Sequence, residues 1–297
     1  ELGKGCASAS WMSSVVMSHS WNLGRFPAEA QEEFWPSCPD AIIATAFAGG
    51  GEMKETEGGY ILNGLWRFAS GVDHSDCSIV LYGVPYDGTT SFRPGTRFGP
   101  NAIKSVSSGL ETFCPQLNLD LESINFSDFG NLEIPFSAPE QVIKKVKYAT
   151  EYIYSLGAKS LLLGGEHSIT IGAVEGISKY FPDLILLQLD AHADLREEWL
   201  GSKYNHACTI RRCLEILPSK KIYQLGIRSG TKEEIQEIKQ MKRLIRFSSS
   251  QPSTELRETL KPYLGKPIYL TLDLDWFDPS VLPGTGTPEP GGFFWQD

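Results

Sequence analysis

Three stretches carry side chains that could do chemistry together. Residues 161–168 read Leu-Leu-Leu-Gly-Gly-Glu-His-Ser, which sets Glu166 and His167 behind two glycines. Residues 186–194 end in Asp190, His192 and Asp194, and residues 269–279 carry Asp273 and Asp275. Asp190, His192 and Asp194 alternate, so on extended backbone they point the same way. Two carboxylates on one face of a dry strand end repel and desolvate badly unless a cation lies between them. Asp273 and Asp275 repeat that spacing, and the Gly164-Gly165 pair allows the tight bend that aims His167. Alone, each stretch reads as a turn, a loop histidine or a solvated strand end. Together they offer four carboxylates and two imidazoles, which suits two divalent cations. Oxygen-rich ligation with imidazole and no thiolate favours Mn²⁺ over Zn²⁺ or copper. Two ions sharing carboxylates would acidify a bridging water into a hydroxide nucleophile at neutral pH. Glu166 reads as a supporting residue, and Cys208 and Cys213 as buried thiols.

The elements that must position these residues alternate between apolar strand-like runs and amphipathic helical runs. Strands are expected at 78–84, 123–128, 160–163, 184–189, 221–226, 242–247 and 267–272. Helices are expected at 100–110, 140–156, 170–180, 207–216, 232–241 and 254–263. Such alternation with near-continuous apolar strands predicts a mainly parallel sheet covered on both faces, and ligands of such sheets sit at the strands' carboxyl ends. His167, Asp190 and Asp273 are all expected at that edge.

Residues 1–77 differ. They hold four of the seven tryptophans and carry 4 basic against 10 acidic side chains. Helices are expected at 9–22 and 28–35, with a break at Pro36 and Pro39. A strand follows at 41–48, then a glycine turn and a hairpin turning at Gly58-Gly59 and running through 60–69. A piece of this size buries its large aromatics only against something else. The whole chain of 297 residues has 27 basic and 36 acidic side chains, net −9. That argues against nucleic acid and suits a small cationic ligand. No apolar run reaches the roughly 18–20 residues of a membrane span, and no secretion signal is visible. Six scattered cysteines without a CxxC fit a reducing cytoplasm.

The motifs above closely resemble those of the ureohydrolases, the arginase and agmatinase superfamily, across residues 78–297. The matching text is Gly164 to Ser168, Asp190 to Asp194, Asp273 to Pro279, Pro283 to Pro288, and Gly291-Gly292. Gly83 to Asp87, Ser91 to Pro100, Asn205-His206-Ala207 and Arg211-Arg212 look agmatinase-like rather than arginase-like. The resemblance implies a three-layer α/β/α fold and a site for two Mn²⁺ per subunit. It implies Asp190 and Asp273 bridging both ions, His167 and Asp194 completing one, and His192 and Asp275 the other. It implies hydrolysis of a guanidino compound, agmatine first, to urea and an amine, here putrescine. His206 matches the histidine that shuttles a proton toward the leaving amine. An imidazole near the metals fits general-acid work, although His206 taken alone reads equally as a solvated loop residue. The family commonly forms trimers or hexamers.

The resemblance also implies a strand beyond Asp297 whose carboxylate contacts the guanidinium, so a chain ending there is expected to be a poor catalyst. Residues 1–77 resemble instead an internal fragment of the acyl-CoA-dehydrogenase-like flavin monooxygenases, the two-component aromatic hydroxylases. The matching text is Trp11, Ser18 to Trp21, Phe26 to Trp35, Gly58 to Tyr60 and Gly64 to His74. On that likeness Ser70 and His74 would line a flavin pocket, the alternative being a flavin-dependent monooxygenase. The expected organisation is therefore a helical-plus-β fragment over 1–77, joined near residues 76–79 to an incomplete ureohydrolase-like domain over 78–297. A joined chain of this kind could also lack activity.

Overall fold

The computed structural model describes residues 28, 51–56, 59–64, 78–135, 138–218, 221–241 and 261–295. The chain divides into two compact units. One is Glu1–Cys77 with Phe126–Asp128, and the other is Ser78–Asn125 with Phe129–Asp297. In the first, β1 (Gly51–Thr56) pairs antiparallel with β2 (Gly59–Gly64), from Gly51↔Gly64 to Thr56↔Gly59. This is the expected hairpin. The helices expected at 9–22 and 28–35 (Ala28 excepted), the strand at 41–48, and Ser70 and His74 lie outside the described residues. So do the strand at 242–247 and most of the helix at 254–263.

The second unit is built on parallel strands. β3 (Ile79–Val84) lies between β6 (Phe126–Asn131) and β7 (Lys159–Gly164) and runs parallel to β7. β8 (Ile185–Leu189) lies between β9 (Ile222–Leu225) and β10 (Ile268–Leu272), parallel to both. The single sheet expected from the alternation is thus hydrogen-bonded as two three-stranded sheets among the described residues. β8 is buried along nearly its whole length, which is why its sequence reads apolar without alternation.

Among the described residues five helices accompany the strands: α1 (Gly99–Ser107), α2 (Pro139–Ser155), α3 (Ile169–Ser178), α4 (Thr209–Ile216) and α5 (Lys232–Gln240). In α2 the buried stripe is Val142, Ile143, Val146, Thr150 and Ile153, the three-to-four spacing of one apolar helix face. In α5, Thr231 and Glu234 form a reciprocal capping box, which fixes where the helix begins. Val174, Leu184, Leu186, Ile210, Ile222 and Ile238 form a core around β8 and β9.

A small hairpin of β4 (Phe113–Cys114) and β5 (Leu119–Asp120) was not expected, because two-residue strands leave no periodic signal. The strand expected at 123–128 begins only at Phe126, since Leu121–Ser123 forms a tight turn capped by the Asp120 carboxylate.

Candidate metal centre

Parallel pairing delivers the acidic residues to one edge. The register Leu189↔Leu272 ends β8 and β10 together, and the Asp273 N–H donates to the Leu189 carbonyl (2.9 Å). Asp190 and Asp273 therefore emerge side by side. His167, after β7, joins them through Nδ1, which lies 2.9 Å from Asp190 Oδ2, 2.9 Å from Asp194 Oδ2 and 3.7 Å from Asp273 Oδ2. His192 Nδ1 lies 3.1 Å from Asp275 Oδ2 and 3.5 Å from Asp190 Oδ1.

These residues form two sets with Asp190 in both: His167, Asp190 and Asp194, and Asp190, His192 and Asp275. Within each set the ligand atoms lie within 4.8 Å of one another. A divalent cation with metal–ligand distances of about 2–2.5 Å spans such a set. Asp273 stands just outside both sets, although it was expected to share ions as Asp190 does.

The convergence has a different local cause from the expected one. Asp190, His192 and Asp194 lie beyond the end of β8, and the pleat does not align them. Asp190 Oδ1 accepts from the His192 N–H (2.6 Å), and Asp194 adopts left-handed backbone at φ 52°. Asp273 likewise caps a tight turn, accepting from the Asp275 N–H (3.3 Å). Turns, rather than strand alternation, swing the carboxylates together. Left-handed backbone at a non-glycine residue is costly and persists where surrounding contacts demand it.

The polar surroundings favour a cation. His167 is buried, and its Nε2 meets Thr271 Oγ1 at 2.9 Å. A proton on Nε2 donated to that hydroxyl leaves Nδ1 bare, as a ligand nitrogen requires. Nδ1 has no hydrogen-bond partner among the described residues, despite two carboxylates at 2.9 Å. Burial works against charging this ring, yet Asp190 and Asp194 outweigh it and raise its pKa well above the ordinary value. The same contest, with Asp190 and Asp275, pushes His192 up to about 12. Burial would raise the Asp190 carboxyl, but the two imidazoles hold it far below the usual range. Burial and the Asp190 charge push Asp194 up to about 6, and burial with neighbouring carboxylates raises Asp273 and Asp275. Without a cation, protons must neutralise this crowd, and divalent ions do so more completely.

Several supporting residues carry no motif signal. Gln188 and Gln224 are fully buried; Gln224 Nε2 donates to Gln188 Oε1 (2.7 Å), and Gln188 Nε2 donates to Asp190 Oδ2 (2.7 Å). Two glutamines inside apolar strands were the available hint. Arg228 Nη2 donates to the Asp275 carbonyl (2.5 Å) and the Glu289 carbonyl (2.8 Å), tying the residues after β10 to the chain near 289. Trp276 and Phe293 stack at 4.2 Å over the same segment.

A cavity of about 450 Å³ opens over the centre and reaches His167, His192, Asp194, Asp273, Asp275 and His206. His206 thus lies at the site although it follows none of the three strand ends. Glu166, in the cavity wall, is buried and takes the Thr89 N–H (2.7 Å) and the Ser168 hydroxyl (2.5 Å). Cys208 and Cys213 are buried thiols, and burial raises both, Cys208 to about 11.

Comparison with known proteins meets this geometry from outside. Residues 77–297 match the profile of the arginase family. The agmatinase of Bacillus subtilis (strain 168) is 37% identical over 225 residues, 75% of this chain and 77% of that protein. The N(1)-aminopropylagmatine ureohydrolase of Thermococcus kodakarensis is 36% identical over 228 residues, covering 76% and 77%. The crystal structure of the agmatine ureohydrolase of Thermoplasma volcanium superposes with a TM-score of 0.66 at 34% identity, covering 73% of each chain.

Proposed function

The chain belongs to the arginase family, and on that premise we propose that it hydrolyses agmatine to urea and putrescine at a centre holding two Mn²⁺. The observation that carries this reading is the pair of ligand sets sharing Asp190 beneath a cavity that also receives His206. His167 and Asp194 would hold one ion and His192 and Asp275 the other, with Asp190 common to both and Asp273 at their edge. Bound there, two divalent ions would supply an acidified water as nucleophile. Hydrolysis would join that oxygen to the guanidinium carbon and break the carbon–nitrogen bond to the alkyl chain, so the departing nitrogen must gain a proton. His206 holds that proton at Nε2, which faces the cavity side at Ser91 Oγ (3.2 Å). Burial, with the positive charge of His167 and His192, lowers the His206 pKa despite the Thr89 carbonyl.

The test is urea release with Mn²⁺ from a panel of agmatine, N(1)-aminopropylagmatine, arginine and guanidinobutyrate. Agmatine is expected to turn over fastest. Faster release from the aminopropyl compound would move the substrate assignment to the activity of the Thermococcus relative, and release from none would overturn the reading. His206→Asn is expected to lower kcat by about 10²–10⁴-fold while leaving metal content unchanged. A variant that loses metal instead would make His206 structural.

Metal uptake should be linked to protons. His167 and His192 hold protons in the metal-free protein because their pKa values are raised, and Asp194 holds one below about 6. Each must leave before its atom binds a cation, so affinity rises with pH and binding releases protons. Calorimetry in buffers of different ionisation enthalpy between pH 6 and 8 measures this. Uptake without proton release would contradict it.

A further inference from the structure

We propose that Thr89 is a positioning residue that decides which ring nitrogen of His206 carries the fixed proton. The inference rests on the reading of His206 as the proton donor to the leaving amine. Thr89 lies in the loop after β3 and is gripped on one side by Glu166. Its N–H donates to Glu166 Oε2 (2.7 Å), and its hydroxyl donates to Glu166 Oε1. Glu166 is 4% exposed, and Ser168 Oγ completes its partners at 2.5 Å. A buried carboxylate satisfied by three donors from two segments is a rigid anchor.

On its other side Thr89 meets the histidine. The Thr89 carbonyl accepts from His206 Nδ1 (2.8 Å) and from Asn205 Nδ2 (3.1 Å), and Thr89 Oγ1 accepts from the His206 N–H (3.2 Å). The Thr89 hydroxyl therefore donates to Glu166 and accepts from His206 at once, which places carboxylate, loop and ring in one frame. A peptide carbonyl has no proton to give, so this contact requires hydrogen on Nδ1. Nε2 is then the nitrogen that changes state. It takes a proton from solvent, giving the imidazolium, and passes it to the departing nitrogen: one N–H bond breaks on the ring, one forms on the amine, and the neutral Nδ1–H ring returns. With the opposite tautomer, Nε2 would already carry the hydrogen of the neutral ring and could not be recharged at that atom.

Two substitutions separate this role from simple support. Thr89→Val keeps the branched shape but removes the hydroxyl that links Glu166 to the His206 N–H, whereas Thr89→Ser keeps it. Thr89→Val is expected to lower kcat by about 10–100-fold with KM within about twofold, to shift the acid limb of the kcat–pH profile, and to bind metal as the parent does. Thr89→Ser should restore kcat to within about threefold. Nitrogen-15 NMR of the metal-free protein should show His206 as the Nδ1–H form in the parent and a tautomer mixture in Thr89→Val. If Thr89→Val does not fold, Glu166→Gln, which keeps size and loses one acceptor oxygen, is read in the same way. Parent-like kcat and an unchanged tautomer in the folded variant overturn the proposal. A His206→Asn enzyme with full kcat would instead remove the reading beneath it, so the two failures are distinguishable.

Discussion

Asp190→Ala is expected to bind neither cation, whereas His192→Ala and His167→Ala each retain one. Asp190 is the residue common to both ligand sets, with Oδ2 2.9 Å from His167 Nδ1 and Oδ1 3.5 Å from His192 Nδ1. It is also fully buried, and its Oδ2 accepts from Gln188 Nε2 (2.7 Å). Its removal leaves the imidazoles without the carboxylate that orients them and the sets without their shared atom pair. The ions contribute several kcal/mol of transition-state stabilisation, so loss of both should lower kcat/KM by at least about 10³-fold. Losing one imidazole leaves the opposite set of two carboxylates and one imidazole intact and should mainly weaken one site. Metal stoichiometry by elemental analysis of the three purified variants checks this. Equal loss in Asp190→Ala and His167→Ala would argue against sharing.

The part of this centre legible in sequence is the part that follows from topology. Apolar strands alternating with helices imply parallel pairing, and the parallel pairing of β8 with β10 brings Asp190 and Asp273 to one edge, where His167 joins them from the end of β7. The detail did not follow, because it depends on loops. Asp190, His192 and Asp194 do not converge through extended backbone: they follow β8, and Asp194, in left-handed backbone, sets its carboxylate 2.9 Å from His167. Asp273 shares the spacing of Asp190 and, like it, accepts from the N–H two residues on, yet it stands outside both ligand sets. Thr89 was not visible at all. It lies between two motif stretches, and only the folded loop sets it between Glu166 and His206. The Gln188–Gln224 pair shows the same limit, for its meaning comes from the register of β8 against β9.

Two adjacent glycines provide a stringent check on how the β7 turn aims His167. Gly165→Ala should lower thermal stability strongly and Gly164→Ala only slightly. Gly165 has φ 40°, and a Cβ there would lie 2.5 Å from the carbonyl oxygens of both Tyr86 and Val84. Both obstacles are backbone, and the Glu166 N–H already donates to the Tyr86 carbonyl (2.7 Å), so the two segments cannot part without losing that bond. Left-handed backbone costs an L-residue about 1–2 kcal/mol, and overpacking adds about 1–3 kcal/mol. At Gly164 the added Cβ meets only Ile169 Cδ1 (2.8 Å), the far end of a flexible side chain, and φ is ordinary. A penalty of about 2–5 kcal/mol corresponds to roughly 3–8 °C in Tm for a chain of this size, against about 1 °C for Gly164→Ala. Displacing residues 84–86 also moves Glu166, and with it the loop holding Thr89, so Gly165→Ala should weaken Mn²⁺ binding at the His167 set and slow turnover together. Differential scanning calorimetry of the two variants, with and without Mn²⁺, measures both consequences. Equal Tm values would show that the 84–86 segment yields to a methyl group and that the tight turn is not what aims the imidazole.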